Sequence, residues 1–165
     1  MTANLANGPI PRHLLPDNAA VSAEGRMSVG GVDISELATE FGTPLFIYDE
    51  DHLRDRCREA VEVFGSGVAY ATKAFLCVAM AKLAHEEGMH LDVATLGELH
   101  VAKTAGVPAS DCVFHGNNKS SAELLAAMQA GVGRIVIDSF DEIARIEAIH
   151  AETGSGKTLA YLLPL

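Results

Sequence analysis

Apolar positions in this chain fall into short runs, and each run is followed by a longer stretch in which apolar residues stand three and four apart. The runs are centred near Tyr70, Val93, Phe114 and Val136 and recur about every 22 residues, the signature of a repeated βα unit. In the first unit, residues 68–72 read as a buried strand and residues 74–88 as the helix after it. Three helix starts pair a hydroxyl with a carboxylate three residues on: Thr95 with Glu98, Ser120 with Glu123 and Ser139 with Glu142. That spacing predicts capping boxes, in which each partner satisfies a backbone N–H at the helix start. Gly88, Gly106 and Gly131 stand just beyond the helical runs, where a left-handed closing residue is favoured.

Ahead of the array, residues 33–40 predict a short helix, residues 45–48 a strand and residues 51–64 a charged amphipathic helix. Residues up to about Gly31 are rich in Asn, Pro, Ala and Gly and read as a flexible lead-in. The expected organisation is therefore a lead-in over 1–31, a βα array over 32–150 and a distinct tail over 151–165. Four consecutive units are half of an eight-unit barrel, so the fold class is α/β, a partial (β/α)8 barrel. Half a barrel leaves strand edges and apolar helix faces open to water, which predicts self-association.

Composition narrows the partners. The formal net charge of −10 disfavours nucleic acid and anionic membranes. Apolar runs are too short to span a bilayer, and no basic segment followed by a hydrophobic core opens the chain, so a cytoplasmic protein is expected. Cys57, Cys77 and Cys112 are odd in number and widely spaced, which suits a reducing compartment better than disulfides or a zinc site. His85 and His90 lack the spacing of a helical metal-binding pair and read as surface and loop residues.

The chemistry-bearing candidate is Lys73, which follows the first strand at the junction where a parallel βα array keeps its active sites. An ammonium held on apolar walls loses its proton more easily than a surface lysine, and the free amine can form a Schiff base with an aldehyde. Asp92 stands at the end of the next strand, where it either holds and orients Lys73 or caps the following loop. His115 ends the third strand, and Gly116-Asn117-Asn118-Lys119 reads as turn residues leading to a helix.

Five stretches in order, FGTPLFIYDE (41–50), AYATKAFLC (69–77), HLDVATLGELHVA (90–102), FHGNNKS (114–120) and RIVIDSFDEI (134–143), resemble the amino-terminal part of a diaminopimelate decarboxylase. That family consists of fold-type III pyridoxal-phosphate enzymes with an alanine-racemase-like barrel. The resemblance implies pyridoxal 5'-phosphate as cofactor, Lys73 as the residue that binds it, and Asp92 near that lysine. It also implies a homodimer and an amino-acid substrate, meso-2,6-diaminopimelate, decarboxylated to L-lysine, and offers for residues up to about Gly31 the alternative of a lead-in that family members fold into their β domain. The cofactor-stacking histidine of the family comes from a later strand, so His115 does not match it. Leu96 departs from the family, which usually has glycine there. The glycine-rich phosphate loop, the carboxylate on the pyridine nitrogen and the carboxyl-terminal β domain have no counterpart here, so the expectation is an inactive fragment or a non-catalytic interaction module.

The last residues, 151–158, read AETGSGKT and resemble motif I of DEAD-box helicases, with Lys157 as the phosphate-binding lysine. A phosphate loop follows a strand and opens a helix. Residues 140–150 instead predict an amphipathic helix ahead of it. An alternative reading of a nucleotide-binding fragment through Lys157 rests on this motif.

Overall fold

The computed structural model describes residues 10–153 and 160–162. The chain divides into two compact units, Met1–Arg56 and Cys57–Leu165. In the first, β1 (Ala20–Val21), β2 (Met27–Val29) and β3 (Val32–Asp33) form an antiparallel meander in that order. Helix α1 (Ile34–Phe41) follows directly. It is capped by Asp33, whose Oδ1 accepts the Ser35 N–H at 2.8 Å and the Glu36 N–H at 3.2 Å. The meander occupies residues read as a flexible lead-in. Its strands are two or three residues long, too short for alternation to register, and its tight turns pass through Gly25, Gly30 and Gly31 at positive φ.

The strand expected over residues 45–48 does not form in either sheet. Leu45, Phe46, Ile47 and Tyr48 lie outside any helix or strand and are exposed, Phe46 at 84%. Their β-branched and aromatic character marks residues that fit a half-buried pleated surface, and a strand still needs a neighbour to pair with. Helix α2 (Glu50–Phe64) matches the expected charged helix.

The second unit holds a parallel sheet in the order β4 (Ala69–Ala71), β5 (His90–Val93), β6 (Cys112–Phe114), β7 (Arg134–Ile137) and β8 (Ala160–Leu162). Helices α3 (Val78–Glu86), α4 (Leu96–Thr104), α5 (Ser121–Ala130) and α6 (Phe140–Thr153) make the crossovers. Each strand pairs with the one before it in sequence, the connectivity of a partial β/α barrel. The register sets Ala71 beside Asp92 and Asp92 beside Val113. Leu91, Val93, Phe114 and Ile135 are fully buried from the sheet, against Ala81, Ala84, Ala102, Leu124 and Ala127 from the helices. Small helical residues let the helices approach closely, so a core low in aromatics still fills.

Helix α3 starts four residues later than its pattern predicts. The chain leaves β4 through a 3-10 turn, Thr72–Ala74, runs extended through Phe75, and begins the helix only after Cys77, whose Sγ accepts the Met80 N–H at 3.5 Å. Lys73 therefore sits in the turn itself. Gly88, Gly106 and Gly131 close their helices at φ of 88°, 82° and 75°, as expected.

The tail reading is corrected by the order of elements. Among the described residues, helix α6 runs through Ala151, Glu152 and Thr153 at the start of the AETGSGKT segment and strand β8 follows that segment, paired in parallel with β7, which reverses the strand-then-helix order of a phosphate loop. Lys157 and the glycines of the motif lie outside the described residues. No helix among the described residues is long and apolar enough to cross a membrane.

Two contacts at the amino ends of the strands generate predictions. The Gly133 N–H donates to the carbonyls of Ala109 and Cys112, each at 3.1 Å, and a methyl group at Gly133 would overlap the Ser110 carbonyl oxygen. Gly133→Ala is expected to destabilise the chain by about 1–3 kcal/mol through this backbone overlap, measurable by urea unfolding. Nearby, His85 Nε2 lies 2.9 Å from Asp111 Oδ2 and ties the end of α3 to the turn before β6. This hydrogen bond holds the Asp111 carboxyl below its ordinary 3.8, against the opposing pull of partial burial. A carboxyl lowered in the folded state stabilises above its ordinary value and loses that contribution as pH falls through the lower, folded value. The stability margin of wild type over Asp111→Asn is therefore expected to narrow once pH drops below about 4, as read from unfolding midpoints along a pH series.

Candidate active site

At the carboxyl ends of the parallel strands, a cavity of about 300 Å³ is lined by Lys73, Asp92, Ala94, Glu98, His115, Gly116, Asn117 and Asp138. Each strand from β4 to β7 contributes its end or the turn after it. Parallel βα architecture does this by construction, since every strand points the same way and its following turn opens on the same face. The volume lies at the small end of the range of ligand pockets, about 300–1,000 Å³.

The structure brings both predicted residues, Lys73 and Asp92, to this cavity. Lys73 is exposed, and the cavity wall is mixed: three carboxylates, Asp92, Glu98 and Asp138, and the His115 ring share it with Ala94 and Gly116. His115 Nδ1 stands 3.4 Å from Asp92 Oδ2, a long contact that ties the ends of β5 and β6. Leu96, the departure noted in the sequence, opens α4 half-exposed and is not among the lining residues.

Glu98 does more than cap. The Thr95 hydroxyl accepts the Glu98 N–H at 3.2 Å, but the Glu98 carboxylate does not close on Thr95's own N–H. Its Oε2 accepts the Ala94 N–H at 2.8 Å and the Thr95 hydroxyl at 3.1 Å, while Oε1 reaches the Thr72 hydroxyl at 3.0 Å. Thr72 is 1% exposed, and its hydroxyl also lies 2.8 Å from the Asp92 carbonyl. Thr72 immediately precedes Lys73, so one carboxylate fixes the backbone on both sides of the gap between β4 and β5. Of the three boxes expected, only Ser120 with Glu123 closes reciprocally.

Reading the sequence missed Asp138 and understated His115, Gly116 and Asn117. Asp138 follows β7, and its Oδ1 is buried with no hydrogen-bond partner among the described residues. Its signal was positional: it directly follows the fourth strand of the repeat, in the turn that opens on the cavity. Cys112, by contrast, is a buried thiol inside β6, pushed up to about 11 by burial, and plays no part in the cavity.

An amine, several carboxylates and an imidazole around one small cavity fit the aldehyde end of pyridoxal phosphate, which needs an amine to anchor it. The orphaned oxygen of Asp138 adds acceptor capacity for a donor-bearing ligand.

Comparison with known proteins identifies the family of the chain. Residues 50–160 match the family model described as pyridoxal-dependent decarboxylase, pyridoxal binding domain. The chain is 51% identical over 141 residues to diaminopimelate decarboxylase of Mycobacterium tuberculosis, covering 84% of this chain and 32% of that protein. It is 48% identical over 135 residues to the Bacillus subtilis diaminopimelate decarboxylase, covering 79% and 31%. In structure it resembles diaminopimelate decarboxylase from M. jannaschii in co-complex with L-lysine, with a TM-score of 0.78 and 32% identity over 89% of this chain and 36% of that one. The chain spans about a third of the length of these curated relatives. It belongs to the pyridoxal-dependent decarboxylase family.

The Glu98 ties carry their own prediction. Glu98→Ala is expected to cost about 1.5–3 kcal/mol, because it removes charge-assisted hydrogen bonds to Ala94 and the two threonines. The exposed cap variant Ser120→Ala is expected to cost about 1 kcal/mol, and chemical denaturation of both variants checks the difference.

Proposed function

We propose that, within this family, the chain carries the lysine side of a pyridoxal-phosphate decarboxylase site, with Lys73 as the residue that anchors the cofactor and Asp92 as its carboxylate neighbour. The observation that carries this reading is the convergence of Lys73 and Asp92, from adjacent parallel strands, on one cavity inside the matched region. The substrate class is an α-amino acid of the diaminopimelate type, converted from meso-2,6-diaminopimelate to L-lysine with release of carbon dioxide. Identity near 50% to diaminopimelate decarboxylases supports that choice. Relatives are about three times as long, and the family setting extends to homodimer assembly and a cytoplasmic location.

When bound, pyridoxal phosphate supplies an electron sink for the electron pair left on the substrate carbon as carbon dioxide departs. The residues of this chain do the holding. Lys73 supplies the amine from a turn fixed by Thr72 and Glu98. Asp92, on the adjacent strand and lining the same cavity, supplies the carboxylate that faces the ligand alongside that amine. His115, touching Asp92, orients that carboxylate. The carboxylates of the wall favour a ligand that brings positive charge, as the ammonium of an amino acid does.

The test is chemical trapping. The chain is incubated with pyridoxal phosphate, reduced with borohydride, digested and mapped, with Lys73→Ala as control. Saturable labelling confined to Lys73 and lost in the variant is expected. Labelling scattered over many lysines and unchanged by the substitution would overturn the reading.

A further inference from the structure

Beside the cavity lies a buried ion pair that no step above uses. Lys119 Nζ stands 2.9 Å from Glu142 Oε2, with side-chain exposures of 1% and 3%. The ammonium also donates to the Gly116 carbonyl. Glu142 in turn accepts the Lys119 N–H on Oε1 at 3.3 Å and the Asp138 N–H on Oε2 at 3.4 Å. Arg145 Nη1 donates to the Lys119 carbonyl at 2.8 Å. The pair thus grips one peptide group of Gly116 and one of Asp138, both lining residues, from turns after different strands.

Burial of two charges costs desolvation that their attraction roughly offsets, and well-packed apolar side chains of similar volume often hold a fold as firmly. What an apolar pair cannot do is bind a carbonyl and an N–H at fixed positions. Helix-capping does not explain Glu142 either. It is the third residue of α6, where a carboxylate ordinarily returns to the N-cap N–H, as Glu123 does to Ser120. The Ser139 hydroxyl does accept the Glu142 N–H at 3.2 Å, yet the carboxylate bypasses the Ser139 N–H and is shared between the Asp138 N–H of its own turn and Lys119 of the neighbouring unit.

We propose that Lys119 and Glu142 are positioning residues: their buried pair sets the loop of His115, Gly116 and Asn117 and the strand end at Asp138 in the mutual geometry that forms the cavity wall. The sheet and its helices do not need the pair, and the wall does. As far as the ligand is concerned, this rests on the pyridoxal-phosphate reading above, so the test includes a readout independent of it.

The experiment compares the 165-residue chain with the paired variant Lys119→Met, Glu142→Leu and the conservative variant Glu142→Gln. The paired variant avoids leaving one buried charge alone. Amide exchange is followed by peptide mass spectrometry, pyridoxal-phosphate uptake by the absorbance change on imine formation, and stability by urea. In the paired variant the unfolding midpoint is expected to stay near wild type. Exchange over residues 116–119 and 138–139 should rise by up to about tenfold, and pyridoxal-phosphate affinity should fall by a similar factor, the loss of about one hydrogen bond's net worth. Peptides covering β5 and β6 should be unchanged, and Glu142→Gln should recover part of both effects.

Unchanged exchange at both segments overturns the proposal. So does faster exchange throughout the unit with a collapsed midpoint, the mark of a merely structural pair. If wild type itself takes up no pyridoxal phosphate, the reading in the preceding subsection falls, and the exchange comparison alone decides the role of the pair.

Discussion

Where a parallel strand hands over to a helix, several peptide groups have left the ladder without yet joining the helix, and those that are buried must find partners. At the carboxyl end of this sheet the partners come from carboxylates at the third position of the next helix. Glu98 takes the Ala94 N–H and reaches back to Thr72, and Glu142 takes the Asp138 N–H and reaches back to Lys119. Each carboxylate therefore joins its own turn to the turn of an earlier unit. Gly116 continues the chain of contacts by lying against Ala94, where an added methyl would meet the carbonyl oxygen at 3.4 Å. The cavity is held by these ties rather than by the apolar core, which lies deeper, among Leu91, Phe114, Leu124 and Ile135.

Much of the array was legible because its signals are local. A strand buried by the helix layer must be a short apolar run, and a crossover helix must bring spaced apolar positions, so β4 to β7 and their helices follow from pattern alone. The glycines beyond α3, α4 and α5 were equally plain, since a left-handed closing residue has few alternatives. What failed was whatever depended on a neighbour. Residues 45–48 have strand character and no strand beside them in the described sheets, while the brief meander of Ala20–Val21, Met27–Val29 and Val32–Asp33 exists through pairing alone.

The site divides along the same line. Lys73 and Asp92 could be found by position, as polar residues at the ends of apolar strands. Lys119 could not, because a lysine in His-Gly-Asn-Asn-Lys reads as a solvated turn residue until Glu142 arrives from 23 positions on. Thr72 and Glu98 are 26 positions apart. Both separations are close to one repeat of the βα pattern. In a repeated array, then, the partner of a strand-end polar residue is best sought about one period downstream, at the third residue of the helix that follows the next strand.

That periodic geometry also explains how a segment about a third the length of its relatives can present so coherent a cavity. Sequence neighbours among these strands are neighbours in the sheet, so Lys73, Asp92, His115 and Asp138 are assembled from one contiguous stretch without long-range closure. Each pairing closes one crossover of about a single repeat, and closure cost grows only slowly with loop length. The cost falls instead on precision, since each turn is fixed only by the turn before and the turn after it. Carboxylates that bridge consecutive turns, half-buried Glu98 and buried Glu142, supply that precision, and they do so with directional bonds that apolar packing cannot replace.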